Sequence, residues 1–494
     1  MHIVGMGRNI QEEAYVCICF EQYPVPSVDW CDVAGATIDL LPEVALLEIF
    51  CFYMVRDDEE DIEAWHTLVH VCQKWRQVVF GSPRRLDLQL LCQDRTPVKE
   101  MLHVWPPFPI VIWNYCTDEW SVDHTIAALE HNDRIRRLDL ESIIRSEFGK
   151  VLAVMQQPFP ALTSLKIYSP DRKLPVVPAS FLGGSAPRLQ TLYLEGIPFP
   201  GLPKLLLSAT HLVRLDLRGI PHSGFVSPDA MVTALSVSTR LETLVIRFDF
   251  PRRGNHPDWK RRHPPLLTHT VLPVLTKFEF GGFDDYLEDF VAWIDVPLLN
   301  TLDMTFFRRL MFDTPQLIHF ISRTTKFHNA RVDLSDWEIS VTLSQTFDGR
   351  LSLGIQDIQG SSTQLDWQLS SLAQVCSSFF LQTFISAVER LDILENANNV
   401  DSELRCLRYI ENGQWLDLLR PFTAVKDLYV TRKIAPHIAS ALRKLVGKRV
   451  TQVLPALQTL VFKEPEAVQE IIGPFIAARE LARHPITISR WEIK

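Results

Sequence analysis

Two histidines are the residues whose spacing first suggests chemistry in this sequence. His66 and His70 are four residues apart, and on a helix this spacing would place two imidazoles on one face, as in a metal site. A zinc protease of the His-Glu-x-x-His type would also need glutamate after the first histidine, where this chain has Thr67. No third ligand stands out in the sequence, so we predict no metal site.

Other signatures of catalysis are missing from the sequence. None of the patterns G-x-S-x-G, G-x-x-x-x-G-K and G-x-G-x-x-G occurs, and Gly183-Gly184 and Gly281-Gly282 fit turns in loops. The nine cysteines never show C-x-x-C spacing, which gives no support to a zinc or redox site. We therefore predict that the chain is not an enzyme, has no catalytic residue and binds no cofactor.

A basic cluster offers a different kind of site. Arg252 and Arg253 are followed, after six residues, by Lys260, Arg261 and Arg262. This arrangement is typical of a two-part nuclear localisation signal and also occurs in nucleic-acid patches. The interpretation we favour is a solvated insertion that lengthens one repeat; a loop that contacts a partner and the nuclear signal are the alternatives. A nuclear nucleic-acid binder is the least favoured interpretation, because 59 acidic residues outnumber 50 basic ones and the net charge is −9.

Composition and length restrict the class of protein. The chain has 494 residues, 47% hydrophobic and 22% charged, as in ordinary globular proteins, and its length suggests about three domains. The longest apolar stretch, Leu40 to Val55, is interrupted by Glu43 and Glu48, so no membrane-spanning helix is expected. The first residues do not resemble a secretion signal. We expect a cytoplasmic or nuclear protein with reduced thiols and no membrane partner.

A repeated strand pattern dominates residues 135–494. Each copy has an aliphatic residue, two further residues, a second aliphatic residue, one residue and a third aliphatic residue. Seven leading positions (135, 162, 189, 212, 241, 275 and 299) are 23 to 34 residues apart, close to the leucine-rich-repeat period of about 20–29. Proline also stands two residues before the leading position in five copies, at Pro160, Pro187, Pro273, Pro297 and Pro455.

These features together predict an α/β fold: an irregular leucine-rich-repeat-like solenoid with a parallel sheet. Helical segments such as Pro203–Ser208 and Pro228–Leu235 would cover one face of the sheet. A helix over residues 466–482 and a strand over 486–493 would form a C-terminal cap. The period is blurred over residues 305–387, where the candidate strands are Ala330–Leu334 and Arg350–Ile355.

Strand residues that alternate with the buried aliphatic residues would face a partner. On this basis the candidate substrate-facing residues are Thr191, Tyr193, Arg214, Asp216, Glu242 and Lys277.

Residues 37–90 show two helical patterns separated by an acidic run, 57–61. Pro42 and Glu43 suit the first turn of a helix. The apolar positions of the first pattern are Leu41, Val44, Leu47, Phe50 and Met54, and those of the second are Trp65, Leu68, Val69, Cys72, Trp75 and Val79. The region therefore predicts a small all-α unit.

This small unit resembles an F-box. The matching segments are Leu41-Pro42-Glu43-Val44, Leu47-Glu48-Ile49-Phe50 and Val71-Cys72-Gln73-Lys74-Trp75-Arg76, about a tenth of the chain. Two features depart from the family pattern: the acidic insert Arg56–Asp61, and the direct junction of Leu-Pro to Glu-Val. An F-box followed by leucine-rich-like repeats is similar to the substrate receptors of cullin–RING (SCF) ubiquitin ligases. The connector resembles those of F-box families in mushroom-forming fungi.

The resemblance implies binding rather than chemistry in this chain. The F-box would dock on a Skp-family adaptor, and through it on a cullin, while the solenoid recruits an unknown substrate protein. The expected organisation is an N-terminal arm (1–36), the F-box (37–90), a connector (91–134) that includes a strand-like run at 110–113, and the solenoid (135–494). A binding scaffold whose F-box-like helices only cap the repeats is the alternative. The implied adaptor-binding residues are Leu41, Pro42, Val44, Leu47, Ile49, Phe50, Val71, Cys72 and Trp75.

Overall fold

The structure is a computed structural model in which the chain divides into two compact units, residues 1–87 and 88–494. We call them the helical unit and the solenoid. The predicted arm (1–36), the acidic run (57–61) and the basic cluster from Arg252 to Arg262 lie outside the described residues. The residues described are 41–54, 64–92, 98–114, 122–141, 143–171, 173–249, 269–307, 315–322, 328–335, 338–344, 350–356, 365–377, 385–395, 407, 410–445 and 447–491.

The helical unit contains α1 (Glu43–Met54), α2 (Ala64–Val69) and α3 (Gln73–Gly81), each packed on the other two. The Pro42 carbonyl accepts the first α1 hydrogen bond, from Leu46 N–H at 3.1 Å. Cys72 precedes α3, and its Sγ accepts from Trp75 N–H at 3.5 Å. The predicted helical region is therefore confirmed, with a core of Leu46, Leu47, Phe50, Trp65, Leu68, Val69, Val78 and Val79.

Within its described residues, the solenoid is built on one long sheet of sixteen strands, in the order β1-β2-β3-β4-β5-β6-β7-β9-β11-β14-β13-β12-β15-β16-β17-β18; β8 and β10 form a separate parallel pair. The strands are β1 (Leu90–Cys92), β2 (Ile110–Asn114), β3 (Ile135–Leu140), β4 (Ser164–Tyr168), β5 (Thr191–Glu195), β6 (Arg214–Ile220), β7 (Thr243–Phe248), β8 (Thr270–Val271), β9 (Lys277–Gly282), β10 (Ile294–Asp295), β11 (Thr301–Phe306), β12 (Asn329–Leu334), β13 (Glu338–Ser344), β14 (Arg350–Gln356), β15 (Arg390–Glu395), β16 (Asp427–Val430), β17 (Thr459–Phe462) and β18 (Thr487–Arg490).

Helices lie between many of these strands and pack on their neighbours from α4 to α6, from α7 to α10 and from α11 to α14. This stacking is how a repeat array buries apolar faces that no single repeat could bury alone. The helices are α4 (Val98–Val104), α5 (Val122–Leu129), α6 (Arg145–Val154), α7 (Leu202–Leu206), α8 (Pro228–Leu235), α9 (Asp284–Val291), α10 (Pro315–Ser322), α11 (Leu365–Ser377), α12 (Asn412–Leu419), α13 (Ala435–Arg443) and α14 (Gln469–Leu481).

The second aliphatic residue of each repeat stacks on its counterpart in the next strand. Leu192 pairs with Leu165 on one side and Leu215 on the other, and all three are buried. The series continues through Leu244 and Phe278. This register confirms the predicted leucine-rich-repeat-like solenoid.

The proline that precedes many repeats builds a turn. The N–H of Leu189 donates to the Ala186 carbonyl at 3.1 Å, so Pro187 is the second residue of a four-residue turn. Proline suits this position because its ring sets φ near −65°. The same hydrogen bond closes the turns that contain Pro160, Pro273, Pro297 and Pro455, as well as those in which threonine replaces proline, Thr210 and Thr239.

The sheet begins earlier than the sequence predicts. Residues 91–134, expected to be a connector, contribute β2, α4 and α5, and β2 pairs in parallel with β1 and β3. The strand-like run at 110–113 lies within β2. The repeat pattern does not reveal this strand, because its register shifts between Ile110 and Val111 and Phe108, rather than proline, stands two residues before Ile110.

One strand reverses the parallel order. β13 runs antiparallel to both β12 and β14, and β14 returns to pair in parallel with β11. The sheet is therefore mostly parallel. This insertion accounts for the blurred period over residues 305–387, where the candidate strands match β12 and β14 but β13 was not predicted. Its buried residues, Ile339, Val341 and Leu343, alternate with polar ones, which is the pattern of a strand covered on one face.

The C-terminal end contains a helix and a strand, α14 and β18, as predicted. Arg479 on α14 is fully buried, and its guanidinium donates to the carbonyls of Leu457 at 2.9 Å and Pro455 at 3.3 Å. Weaker contacts of 3.4 and 3.5 Å reach the carbonyls of Val450 and Leu454. Burial lowers the pKa of Arg479. The Arg479 side chain therefore holds the last proline turn, residues 454–457, through hydrogen bonds to its carbonyl groups.

Among the described helices, none is both long and apolar enough to cross a bilayer.

Candidate functional site

The first candidate site is the outer face of α1. The helix buries Leu46 and Phe50, yet apolar side chains also stand on its outer side, where Val44 is 64%, Ile49 45% and Phe52 88% exposed. The exposed Glu48 lies between Val44 and Phe52 on that side and forms an ion pair with Arg85. We call Val44, Ile49, Phe52 and Tyr53 the α1 patch. The helical unit already has a core of its own, so the patch is apolar surface beyond what that core needs, as at interaction sites.

The predicted adaptor-binding residues divide into three groups. Leu47 and Phe50 are buried in the described structure, and the Phe50 ring lies 4.7 Å from that of Trp75. Leu41, Cys72 and Trp75 are half-buried. The exposed members are Pro42, Val44, Ile49 and Val71.

Phe52 is a residue that the sequence analysis missed. It follows Ile49 by three residues and Val44 by eight, which is helical spacing, so the signal was present in the sequence. The family pattern drew attention instead to Phe50, whose side chain points to the opposite side of α1.

The two histidines do not form a metal site with other described residues. His66 is half-buried, with its ring centre 4.0 Å from that of Trp65. Burial, and then the nearby charge on His70, lowers the pKa of His66 to about 4, so its imidazole is neutral at pH 7. Within the described part of the chain, no group of three or more His, Cys, Asp or Glu side chains could hold a metal ion.

The second candidate site is the face of the sheet that carries the polar strand residues, which we call the open face. Its first row contains the predicted residues Thr191, Arg214 and Lys277, placed in register with Thr243 and Thr301. A second row, two residues further along the strands, contains the predicted Tyr193 and Asp216. The structure therefore places these five side chains on one surface.

Glu242 does not belong to this surface register. It precedes β7 by one residue, and its carbonyl accepts from the N–H groups of Thr276 and Lys277 at 3.0 and 3.1 Å. Thr243 occupies the position that corresponds to Thr191 and Arg214. The sequence prediction is wrong here by one residue: Glu242 is exposed, but it lies just before β7 and outside the row of strand side chains.

The carboxylates of the second row lie deep and the arginines cover them. Asp216 is fully buried, and its carboxylate meets the guanidinium of Arg218 at 2.8 Å and that of Arg214 at 3.3 Å. Glu279 is likewise buried and lies 2.5 Å from Nε of Arg247. Asp216, predicted to face a partner, is therefore screened, and the partly exposed arginines above it present the charge.

Asp139 is the buried carboxylate with the clearest electrostatic cost. Burial raises the pKa of Asp139 to about 6, although Lys166 lies 3.7 Å away and opposes the shift. A raised pKa means that the folded chain binds a proton more readily than the unfolded chain, so stability should increase as pH falls from about 6 towards about 4.

We expect Asp139→Asn to remove this cost. The variant should be more stable than the wild type by about 1–2 kcal/mol at pH 7.5, with the difference vanishing near pH 4. Lys166 keeps an ion pair with Glu141 in the variant. Urea unfolding at the two pH values measures the difference, and Asp392→Asn, in the second row beside Arg390, is the control. An equal difference at both pH values would contradict the explanation.

Three adjoining depressions make a groove across the open face. The first, about 180 Å³, shares Glu195, Gly219 and Asp249 with the second, about 280 Å³. The second shares Arg247 and Thr305 with the third, about 420 Å³. We call the three together the groove. It extends from β4 to β12, and neither this continuity nor its position could be derived from the repeat pattern.

Small residues form the floor of the groove. Gly196 has φ +73°, and a Cβ atom there would lie 2.6 Å from the Ser169 carbonyl oxygen, so only glycine fits. Further along, Gly281, Thr305, Gly354 and Ser340 stand side by side on β9, β11, β14 and β13. Longer side chains in neighbouring positions, such as Arg247, Arg331 and Arg350, line the sides of the groove.

Comparison with known proteins identifies no family for this chain. No protein-family model matches it, and no curated protein gives a significant match. Among solved structures, the leucine-rich repeat-containing protein LegL7 from Legionella pneumophila matches 81% of this chain and 99% of its own length, with 14% identity and a TM-score of 0.29. A TM-score this low carries no argument, so the fold is assigned from the sheet, its register and its turns.

Proposed function

We propose that this chain is the substrate-recognition subunit of an SCF-type cullin–RING ubiquitin ligase. The helical unit would dock on a Skp-family adaptor, and the solenoid would recruit the protein to be modified. The single observation that carries the proposal is the exposed α1 patch, on a unit with its own core and an F-box-like sequence.

The proposed mechanism needs no catalytic residue in this chain. Holding a substrate beside a ubiquitin-conjugating enzyme raises its effective concentration, which by itself accelerates transfer. The two candidate sites suit the two roles. An apolar helix face supplies permanent affinity through a few anchors, whereas a charged sheet face supplies selectivity between partners.

The adaptor contact is tested by Phe52→Asp. We expect the wild-type chain to co-purify with a Skp-family adaptor in equal amounts, and the variant to bind at least about thirtyfold more weakly, the loss of an anchor worth about 2 kcal/mol. The circular-dichroism spectrum should not change, because the Phe52 side chain is 88% exposed. Leu47 is a poorer position to test, since it is buried and its replacement would disturb folding.

The matched control for Phe52→Asp is Leu481→Asp, because Leu481 is 87% exposed but lies at the end of α14 in the solenoid. Its adaptor binding should equal that of the wild type. The proposal fails if a folded wild-type chain does not bind the adaptor, or if Phe52→Asp binds as well as the wild type.

A leucine-rich-repeat-like binding scaffold, with the helical unit as a structural cap, is the alternative. The open face favours this alternative, because such a surface can bind a partner regardless of the role of the helical unit. It predicts no adaptor binding by the wild-type chain and no effect of Phe52→Asp.

A further inference from the structure

We propose that the groove binds an extended segment of the partner protein in which basic and acidic residues are segregated. The basic part would lie near β4 to β6 and the acidic part near β12 to β14. This inference rests on the proposed recruitment of a protein by the solenoid, and it adds the chemistry of the segment that is recognised.

The charge of the groove changes sign along its length. The described lining of the first depression has three carboxylates, Asp171, Glu195 and Asp249, and no cation. The second has two carboxylates and two guanidinium groups. The third has three guanidinium groups, from Arg247, Arg331 and Arg350, against two carboxylates. Arg247 is paired with Glu279 and Arg331 with Asp333, so Arg350 supplies the positive charge that has no described ion-pair partner. A uniformly charged ligand would therefore be repelled at one end.

Side chains at both ends of the groove can form further hydrogen bonds or ion pairs with a ligand. Glu195 accepts a hydrogen bond from the Tyr193 hydroxyl, and Asp171 accepts from Arg145 N–H at 2.9 Å; each carboxylate can accept further bonds. At the other end, Arg350 is exposed, and its guanidinium makes no hydrogen bond or ion pair with the residues that the structure describes.

Hydroxyl groups complete the basic end. Thr342 and Ser352 lie side by side there, with their hydroxyl oxygens 3.1 Å apart, and both line the depression together with Thr305, Ser335 and Ser340. Such groups donate to carboxylates and to peptide carbonyls alike. They therefore suit an acidic peptide segment.

The dimensions of the groove suit an extended chain. It crosses nine neighbouring strands, from β4 to β12. At about 4.8 Å between strands this is about 38 Å, or about 12 residues of extended polypeptide at 3.3 Å each. The floor of glycine, serine and threonine leaves room for a backbone. A nucleic acid is disfavoured, because its phosphates would meet the three carboxylates of the first depression.

Two fluorescein-labelled peptides of about 12 residues, identical in composition, test the inference with the full chain. One has its lysines in one half and its glutamates in the other, and the second has them alternating. By fluorescence anisotropy at about 0.05 M salt, where screening is weak, we expect the segregated peptide to bind at least about tenfold more tightly. Equal binding of the two peptides, or no binding, would overturn the inference.

Variants then assign the binding to the groove. Arg350→Gln and Glu195→Gln should each weaken binding of the segregated peptide about fivefold. The control variants Arg420→Gln and Glu470→Gln change exposed residues outside the groove, one after α12 and one on α14, and should have no effect. Equal losses in the groove and control variants would contradict the assignment.

The adaptor experiment is independent of these peptides. Loss of peptide selectivity with normal adaptor binding would reject only the groove, whereas the reverse result would reject only the ligase role.

Discussion

Replacing Arg479 with methionine is expected to destabilise the C-terminal end of the solenoid by about 3 kcal/mol. The guanidinium of this buried side chain holds the carbonyls of Leu457 and Pro455 and reaches that of Val450. Methionine would leave these buried or half-buried acceptors without the guanidinium donor, at about 1 kcal/mol or more each. Replacing both members of a buried ion pair by apolar residues can leave stability unchanged, because no unpaired partner remains. Arg479→Met removes only the donor, and the backbone carbonyls of Leu457 and Pro455 remain.

The effect of Arg479→Met should be local. In a repeat array each repeat contacts only its neighbours, so the end can open without the middle. Hydrogen exchange should therefore accelerate over residues 447–491 and stay unchanged over 191–249. Arg479→Lys should be intermediate, because an ammonium group keeps the charge but lacks the fork that reaches several carbonyls.

Arg443→Met is the control for Arg479, since Arg443 is exposed in the last turn of α13. Its exchange pattern should match the wild type. Unchanged protection of residues 447–491 in Arg479→Met would show that the buried guanidinium does not stabilise this end.

Phe50→Ala is expected to unfold the helical unit. The Phe50 side chain is fully buried against Trp75, and truncating such a phenylalanine costs about 3–5 kcal/mol. A small unit whose described helices are this short has little more stability than that to lose. Amide exchange over residues 43–81 should become fast, while the strands of the solenoid remain protected.

Phe52→Ala provides the matched control two residues away on the same helix. Because Phe52 is exposed, its truncation should change stability by no more than about 0.5 kcal/mol. Under the proposed function both changes weaken adaptor binding, but only Phe50→Ala alters exchange. Protected amides in Phe50→Ala would mean that the core of the unit lies elsewhere.

The repeats and the helices of the small unit were predictable from local sequence patterns alone. The spacing of aliphatic residues and the prolines two positions before them predicted the repeats, because a turn and a short strand are local structures governed by a few neighbouring residues. The register of Leu165, Leu192 and Leu215 follows from the same pattern. The helices of the small unit were likewise predictable from their periodicity.

Tertiary structure decided the features that depend on distant residues. The reversal of β13, the early start of the sheet at β1 and the position of Glu242 outside the surface register depend on which strands pair, and pairing joins residues far apart in sequence. Helical periodicity places Phe50 and Phe52 on opposite sides of α1, but the packing of the described helices decided that Phe50 is the buried one.

The groove and the burial of Arg479 also depend on contacts between residues that are distant in the sequence. Neither Glu195 nor Arg350 carries a distinctive local motif, and only the sheet brings the two into one surface. In the sequence Arg479 is an ordinary helix residue. Only the folded structure places the carbonyl groups of Pro455 and Leu457 beside its guanidinium. The sequence alone determined the repeated unit, whereas the way the units stack determined which charges meet, because electrostatic contacts depend on distance in space rather than along the chain.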